Sequence, residues 1–263
     1  MAPKVLFIIV PGSFCTPPAY DKLVSVLRSR DQDVQVVALP SANDGSALPA
    51  PTIDDDVAAI RNAVTVALDD AEDPRDVVLA LHSYSGVPGT SALEGLGRDA
   101  RSAGGKPTAA VGIVYFGAMV PDVGQSLRDI SISFDALQEP YKTGEPGGYM
   151  PAVPAEYAPL IFNDVADQDE VARLYGFFTL HSSDTYSGKA TYAAWRDIPA
   201  VQIIPEKDMI LPTFVQEALY ERTVAAGGKV RRVFVEGAGH SINVSRPELV
   251  ADEMIRQAEE GRK

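Results

Sequence analysis

The chain has 263 residues, of which 46% are hydrophobic and 22% are charged. This length can bury one substantial core, and the composition is that of a globular protein rather than of a disordered chain or a fibre. Acidic residues outnumber basic residues by 36 to 23, which gives a formal net charge of −13. Because such a surface repels phosphate groups, we exclude nucleic acids and anionic membranes as expected partners.

The cysteine and histidine content further restricts the kind of protein that this sequence can encode. Cys15 is the single cysteine, so an intrachain disulfide is impossible, and three histidines with one cysteine are too few and too scattered for a zinc cluster. The first apolar run, Val5–Val10, is too short for a signal peptide or a membrane span, and no later segment is long and apolar enough to span. We therefore expect a cytoplasmic protein that acts on a small molecule and uses no metal or other cofactor, and the sequence allows a homodimer.

The first half of the chain alternates apolar, β-branched runs with amphipathic stretches, which is typical of a parallel sheet covered by helices. Strands are predicted at residues 5–10 and 34–39. The helix between them repeats its apolar residues at helical spacing after a pair of prolines, namely Tyr20, Leu23, Val24 and Leu27. After a loop at residues 41–52, Thr52 is placed to cap a second helix. The predicted inner face of that helix consists of Ile53, Val57, Ile60 and Val64.

The second half of the chain continues the alternation. Further strands are predicted at residues 77–81, 109–116, 201–204 and 230–235. Pro212 is expected to open a helix that ends near Gly227, because proline is favoured at the first helical position and glycine just past the last. Ser245 and Glu248 have the spacing of a capping box for the terminal helix. The pattern predicts an α/β fold with a mainly parallel sheet.

Residues 122–196 interrupt the alternation of strands and helices. They separate the fourth and fifth predicted strands by many more residues than one crossover connection requires. This stretch carries scattered aromatic side chains, namely Phe134, Tyr141, Tyr149, Tyr157, Phe162, Tyr175, Phe177, Phe178, Tyr186, Tyr192 and Trp195. Because ligands of open α/β sheets bind beyond the carboxyl ends of the strands, we interpret the stretch as a cap inserted over the site, with most aromatic residues in the cap's own core. Residues 1–121 and 197–263 then form the α/β core.

The strand at residues 77–81 leads into a turn that reads His-Ser-Tyr-Ser-Gly, in which Ser83 is followed by the small residues Ser85 and Gly86. This is the arrangement of a nucleophile elbow, where a sharp turn carries the serine hydroxyl clear of the sheet. Leu81 departs from the pattern, because glycine is usual two residues before the serine. A chance serine in a strand-to-helix turn is therefore the alternative interpretation.

A serine hydroxyl needs a base, and in folds with this elbow the base follows the last strand while the acid lies between the two in the chain. His240 follows a glycine-containing turn after the last predicted strand and is the candidate base. Asp208 lies just beyond the fifth strand and is the candidate acid that orients the imidazole. Glu206 is a competing acid, and Asp122 after the fourth strand is a weaker one.

The charge on a tetrahedral intermediate needs two main-chain N–H donors, one from the residue after the serine and one from the loop after the first strand. Tyr84 provides the first donor, and either Ser13 or Phe14 provides the second. Gly12 fits a close approach between the backbone and the substrate, although turn formation alone would also explain a glycine there. These residues complete a predicted oxyanion hole.

Three further residues outside the triad could have a role at the site. His181 in the predicted cap is a candidate substrate contact, although a lone histidine more often packs or lies at the surface. His82 is expected to pack or to hydrogen-bond structurally beside the serine. Cys15 is expected to line the pocket or to be buried, since no histidine is paired with it by a motif.

The order of Ser83, Asp208 and His240 over the whole chain resembles that of the α/β-hydrolase superfamily, in the compact form that starts at the strand before the oxyanion loop. Residues 205–212 and the turn at residues 239–241 resemble the branch of plant methyl-ester esterases and hydroxynitrile lyases. The elbow also resembles that of this branch and of small fungal hydrolases. The resemblance implies an α/β-hydrolase sheet with helices on both faces and a lid.

Three functions are compatible with these residues. The first is hydrolysis of a carboxylic ester or lactone of a small to medium apolar substrate, through an acyl-enzyme on Ser83. The second is a lyase or cyclase that uses the same triad for carbon–carbon or cyanohydrin chemistry. The third is a non-catalytic ligand-binding protein on this fold, which the intact order of the triad argues against.

Overall fold

The computed structural model of the protein describes residues 4–134 and 145–262, with the backbone alone at residues 131–134. The side chains of Phe134 and Tyr141, both assigned above to the predicted cap, lie outside the described residues. The described strands are β1 (Val5–Val10), β2 (Asp33–Val36), β3 (Ala42–Asn43), β4 (Asp76–His82), β5 (Ala110–Phe116), β6 (Tyr149–Met150), β7 (Leu180–Ser182), β8 (Ala200–Pro205) and β9 (Val230–Val235).

The described α-helices are α1 (Asp21–Ser29), α2 (Ile53–Leu68), α3 (Gly86–Ala92), α4 (Arg98–Ala103), α5 (Leu127–Phe134), α6 (Ala158–Ile161), α7 (Gln168–Tyr175), α8 (Thr213–Ala225), α9 (Ile242–Ser245) and α10 (Pro247–Glu260). Short 3₁₀ turns lie at Pro17–Tyr20, Ser83–Ser85, Ala155–Tyr157, Ser183–Tyr186 and Ala194–Arg196. In the described ranges, no helix has both the length and the apolar character to cross a membrane.

Six strands form one parallel sheet in the order β2-β1-β4-β5-β8-β9. The strands β4 and β5 are buried along their whole length, which explains the continuous apolar runs within them. The chain leaves β1 toward β2 on one side, while β4 pairs with β1 on the other side. This reversal creates a switch point between the carboxyl ends of β1 and β4, where ligands of such sheets bind.

Helices cover both faces of the sheet, as the sequence predicted. In β1 the residues alternate between two hydrophobic clusters, because successive side chains of a strand point to opposite faces. Leu6, Ile8 and Val10 join the cluster that contains residues of α2, α3 and α8. Phe7 and Ile9 join the cluster that contains residues of α1 and α10. The larger of these clusters also includes apolar residues between β5 and β8, so this long connection packs on the core.

A second, antiparallel sheet of three short strands has the order β3-β7-β6. Its strand β3 lies within residues 41–52, a stretch that we predicted to be a loop throughout. Ala42 is paired with His181, and Tyr149 is paired with Ser182. Two-residue strands show no alternation in the sequence, because their pairing depends on a partner far along the chain. The small sheet ties the loop after β2 to the connection between β5 and β8.

The two predicted helix caps have different outcomes. At the start of α2, the Asp55 carboxylate accepts hydrogen bonds from the Thr52 amide at 2.7 Å and from its hydroxyl at 2.9 Å, and the capping box is complete. The capping box predicted for Ser245 and Glu248 is wrong, because Ser245 is the last residue of α9 and Arg246 occupies the cap position of α10. A serine with helical backbone angles does not have the extended conformation that an N-cap requires.

Candidate active site

Ser83 follows β4, Asp208 follows β8 and His240 follows β9. Because all the strands of the large sheet are parallel, their carboxyl ends lie at one edge and bring these three loops together. Ser83 and His240 line the same cavity. In the described structure, the Ser83 hydroxyl makes no hydrogen bond with the His240 ring, and such contacts are often loose until a substrate binds.

Ser83 has a φ of +55°, a left-handed conformation that is uncommon for a residue with a side chain. The turn is closely packed, since a Cβ at Gly86 would lie 1.8 Å from the carbonyl oxygen of Met119. The Ser85 hydroxyl accepts a hydrogen bond from the His82 amide at 2.8 Å and donates to the carbonyl of Val10 at 2.9 Å. The small residues that follow Ser83 therefore hold a strained turn against β1.

The structure also explains how leucine is accommodated two residues before the serine. A Cβ added to Gly89 in α3 would lie 2.3 Å from a methyl carbon of Leu81. The glycine in the helix thus provides the space that a glycine in the strand usually provides in this kind of turn. The departure from the usual elbow sequence is thus compensated in the first turn of α3.

Asp208 is buried beside His240, and the Nδ1 atom of the imidazole lies 2.8 Å from Oδ2 of the carboxylate and 3.0 Å from Oδ1. The main-chain amides of Ile210 and Leu211 donate to Oδ1 at 2.9 and 2.8 Å. The side-chain amide of Gln216 donates to Oδ2 at 3.0 Å. Gln216 was not among the residues selected from the sequence, because a single glutamine inside a helix carries no signal of its own.

The competing acids lie elsewhere. Glu206 accepts a hydrogen bond from the Gly237 amide at 2.8 Å and stays exposed. Asp122 forms an ion pair with Arg196 at 2.8 Å. The carboxylate in contact with His240 is therefore that of Asp208.

The loop after β1 approaches the serine closely, since a Cβ at Gly12 would lie 3.1 Å from Cβ of Ser83. The amide of Gly12 donates to the Tyr20 hydroxyl at 2.8 Å, and the amide of Phe14 donates to Nδ1 of His181 at 3.4 Å. Ser13 lies between them, and its amide has no acceptor among the described residues. Of the two alternatives for the second oxyanion donor, this leaves Ser13 as the one with a free N–H group.

His181 is fully buried on β7 and is not among the residues that line the cavity. Its Nε2 atom lies 3.1 Å from the Thr185 hydroxyl, and its ring packs against Phe14 and Tyr84. Burial lowers the pKa of His181 to about 3. His181 is therefore set back from the cavity rather than placed for the suggested substrate contact, and it supports the loop that contains Phe14.

Tyr84 is anchored by a carboxylate that the sequence did not single out. Its hydroxyl donates to Oδ2 of Asp56 at 2.8 Å, and the Ser41 hydroxyl donates to the same oxygen at 2.6 Å. Burial raises the pKa of Asp56 to about 6. Asp56 lies in the first turn of α2 beside two other aspartates, so in the sequence it reads as an ordinary helix-start residue.

The cavity contains about 870 Å³ of space, including its open mouth. Its described lining includes no aspartate, glutamate, lysine or arginine. Apolar residues of the connection between β5 and β8 form much of the wall, namely Leu127, Val153, Ile161, Phe162, Leu174 and Phe178. Cys15 also lines the cavity, and burial raises the pKa of its thiol to about 12, so it is not poised as a thiolate.

Among the described residues, no group of three or more histidine, cysteine, aspartate or glutamate side chains is arranged to hold a metal ion. The groups that this edge of the sheet offers include a serine hydroxyl, an imidazole and a carboxylate, together with the surrounding main-chain amides.

The sequence matches the model of the alpha/beta hydrolase family over residues 7–253. The chain belongs to this family. It is 32% identical over 257 residues to the alpha/beta hydrolase nvfD of Aspergillus novofumigatus, which covers 97% of this chain and 96% of that protein. This α/β-hydrolase is accordingly an enzyme, and its likeness to small fungal hydrolases is confirmed.

Solved structures show the same fold at low sequence identity. A variant of polyneuridine aldehyde esterase aligns with a TM-score of 0.73 and 17% identity, over 96% of this chain and 98% of that one. The methylesterase MES16 from Arabidopsis aligns with a TM-score of 0.68 and 15% identity, over 97% and 99% of the two chains. The predicted α/β-hydrolase fold is confirmed, and the chain shares it with this esterase and this methylesterase.

Proposed function

We propose that this α/β-hydrolase cleaves a carboxylic ester or lactone of a small to medium apolar substrate through a triad of Ser83, His240 and Asp208. The observation that carries the proposal is the contact between His240 and the buried Asp208 carboxylate. The histidine also lines a cavity together with Ser83, whose φ is positive. With Nδ1 facing the carboxylate, Nε2 is the ring nitrogen left to take a proton from the serine.

In this mechanism His240 removes the proton of the Ser83 hydroxyl while the oxygen attacks the substrate carbonyl. The protonated imidazole, held by Asp208, returns the proton to the leaving alkoxide. A water molecule then loses a proton to His240 and attacks the acyl-enzyme, which releases the acid and restores the serine. No step requires a cofactor.

The oxyanion of the two tetrahedral intermediates is stabilised by the main-chain amides of Ser13 and Tyr84. The support for Ser13 is that its two neighbours, Gly12 and Phe14, donate their amides to side chains. Those two hydrogen bonds also hold the loop on either side of the proposed donor. Gly12 allows the loop to approach the serine, because a larger residue would contact Ser83 and His82.

Residues 122–196 act as the cap of this site in our proposal. Six apolar side chains from this stretch line the cavity, which lacks a described charged side chain. An uncharged acyl or alkyl group is therefore the expected occupant, since burial of an unpaired charge in such a cavity is costly. A cytoplasmic location and a homodimer stay predictions.

The proposal is tested with a fluorophosphonate probe and with aryl esters and lactones of graded acyl length. We expect the probe to label the wild type and to leave the Ser83→Ala variant unlabelled, and we expect ester turnover to fall at least about 10³-fold in that variant. Ser245→Ala is the matched control, because the Ser245 hydroxyl is buried outside the cavity lining.

Two outcomes would redirect the assignment. Turnover that persists in Ser83→Ala would contradict the nucleophilic role of the serine. Labelling of Ser83 without hydrolysis of any ester or lactone would instead support the lyase or cyclase alternative, which uses the same base without acyl transfer.

A further inference from the structure

A continuous chain of buried hydrogen bonds connects three loops of the site behind the proposed catalytic residues. The Gly12 amide donates to the Tyr20 hydroxyl at 2.8 Å, and that hydroxyl lies 2.6 Å from Nδ1 of His82. On its other side, Nε2 of His82 lies 3.1 Å from the carbonyl oxygen of His240. The chain therefore joins the loop after β1, the elbow after β4 and the loop after β9.

Only one placement of protons satisfies every member of this chain. A main-chain amide only donates, so the Tyr20 oxygen accepts from Gly12 and its own proton must be donated to Nδ1 of His82. A carbonyl oxygen only accepts, so Nε2 of His82 carries the ring proton and donates it to His240. The chain thus fixes the neutral tautomer of His82 from both ends.

The surroundings keep His82 in this neutral form. The ring stacks on Phe116 with 5.0 Å between centroids, and its centroid lies 4.9 Å from that of His240. Burial, together with the neighbouring His240, lowers the pKa of His82 to about 3. Burial also raises the pKa of the Tyr20 hydroxyl well above its usual range.

The backbone group at each end of this hydrogen-bond chain has a single partner. Among residues 4–134 and 145–262, Tyr20 is the single hydrogen-bond partner of the Gly12 amide. Within the same ranges, His82 is the single partner of the His240 carbonyl. Removal of either link therefore leaves a buried backbone group unsatisfied and loosens the position of the residue that carries it.

We propose that Tyr20 and His82 are positioning residues that hold the Ser13 amide and the His240 imidazole at the distance and orientation that Ser83 requires. This inference rests on the proposed function, because it concerns the positions of the proposed oxyanion donor and the proposed base. Both residues also line the cavity, but neither has a proton free for the substrate, because Tyr20 donates to His82 and His82 donates to His240. Tyr20 acts through Gly12, and His82 acts through the main chain of His240.

The test compares Tyr20→Phe and two variants of His82 with the wild type. Phenylalanine keeps the buried ring of Tyr20 and removes only the hydroxyl. Glutamine at position 82 places an amide nitrogen near the position of Nε2 and keeps a donor for the His240 carbonyl, whereas His82→Leu keeps none. Tyr115→Phe is the matched control, because the Tyr115 hydroxyl is also fully buried but lies outside the cavity lining.

For Tyr20→Phe we expect kcat for 4-nitrophenyl acetate and the rate constant of fluorophosphonate labelling to fall about 10- to 100-fold, because a misplaced oxyanion donor costs part of what its removal costs. KM should change less than about threefold, because the cavity keeps its shape. His82→Leu should lose at least as much, and His82→Gln should recover about tenfold of that loss. Tyr115→Phe should retain the wild-type rates.

All rates are divided by the fraction of sites that the fluorophosphonate titrates. A smaller amount of folded protein is then not mistaken for misplacement of the catalytic groups. Rates of folded Tyr20→Phe and His82→Leu within twofold of the control would overturn the inference, as would His82→Gln and His82→Leu with equal losses. If Tyr20→Phe does not fold, the difference in rate between His82→Gln and His82→Leu tests the inference by itself. Failure of the proposed function is a different result, in which the wild type itself is neither labelled nor active.

Discussion

The two oxygens of the Asp208 carboxylate have different partners, and this asymmetry determines how an amide would sit in the same place. Oδ1 accepts from the amides of Ile210 and Leu211, whereas Oδ2 faces Gln216 and makes the shorter contact with His240. In an Asp208→Asn variant the remaining oxygen would occupy the position of Oδ1, because two amides point at it. The NH₂ group would then face Nδ1 of His240.

We predict that Asp208→Asn lowers kcat on esters by roughly 10³- to 10⁴-fold. An NH₂ donor at Nδ1 selects the tautomer with the proton on Nε2, which is unable to accept the proton of Ser83. Glu206→Gln is the matched control, since its carboxylate lies on the neighbouring turn and contacts Gly237 instead. Steady-state kinetics of the two variants decide between the acids, and equal losses would contradict the assignment of Asp208.

At the scale of elements, the elbow depends on how closely α3 packs against β4. Leu81 occupies a position where glycine is usual, and Gly89 provides the space for its side chain. The pair is an example of a change in a strand that is compensated in the helix packed on it. Such compensation preserves the volume of the core, to which close-packed interiors are sensitive.

We predict that Gly89→Ala destabilises the protein by about 1–3 kcal/mol, because the new methyl group overlaps Leu81 in a packed core. A Leu81→Ala change should cost about 2–5 kcal/mol alone and less in the Gly89→Ala background, since each change offsets the volume error of the other. Gly104→Ala is the control, because a Cβ there has no contact closer than 3.4 Å. Urea unfolding gives the coupling, and strictly additive losses would show that the two residues do not share a space.

At the scale of the whole molecule, buried titratable groups link the stability of the fold to pH. His82 and His181 are buried, with pKa values lowered to about 3, so each stays neutral in the folded state while it gains a proton on unfolding below about pH 6.5. Their contribution to stability is present above pH 6.5 and is lost as the pH falls toward 3. Asp56, with a pKa raised to about 6, acts in the opposite direction, because its folded form takes up a proton first as the pH falls.

We predict a net loss of roughly 2–3 kcal/mol in the free energy of unfolding between pH 7.5 and pH 5. Each histidine contributes a loss of about 2 kcal/mol at pH 5, and protonation of Asp56 offsets about 1 kcal/mol of the sum. Denaturant titrations at several pH values measure the slope, and His181→Gln should flatten it. Stability that is constant or rises toward pH 5 would contradict the burial of two neutral histidines.

Much of the fold and part of the site followed from local patterns in the sequence. The core strands are apolar and β-branched because the sheet is buried on both faces, and the chain order of Ser83, Asp208 and His240 places each after a strand of that sheet. Parallel strands end at one edge, so the meeting of these residues was predictable. The small sheet was not, because β3 has two residues and a partner more than a hundred positions away.

The sequence by itself determined which elements form and at which edge the serine, histidine and carboxylate meet, because hydrophobic periodicity and strand ends are local properties of the chain. Only the tertiary structure decided that Phe14 donates its amide to His181, that Gln216 holds Asp208, and that Tyr20 and His82 link the loops of the site. Hydrogen bonds of this kind join residues far apart in the chain, and each depends on the exact depth and direction of a buried side chain. Packing sets these quantities, and no pattern of neighbouring residues encodes them.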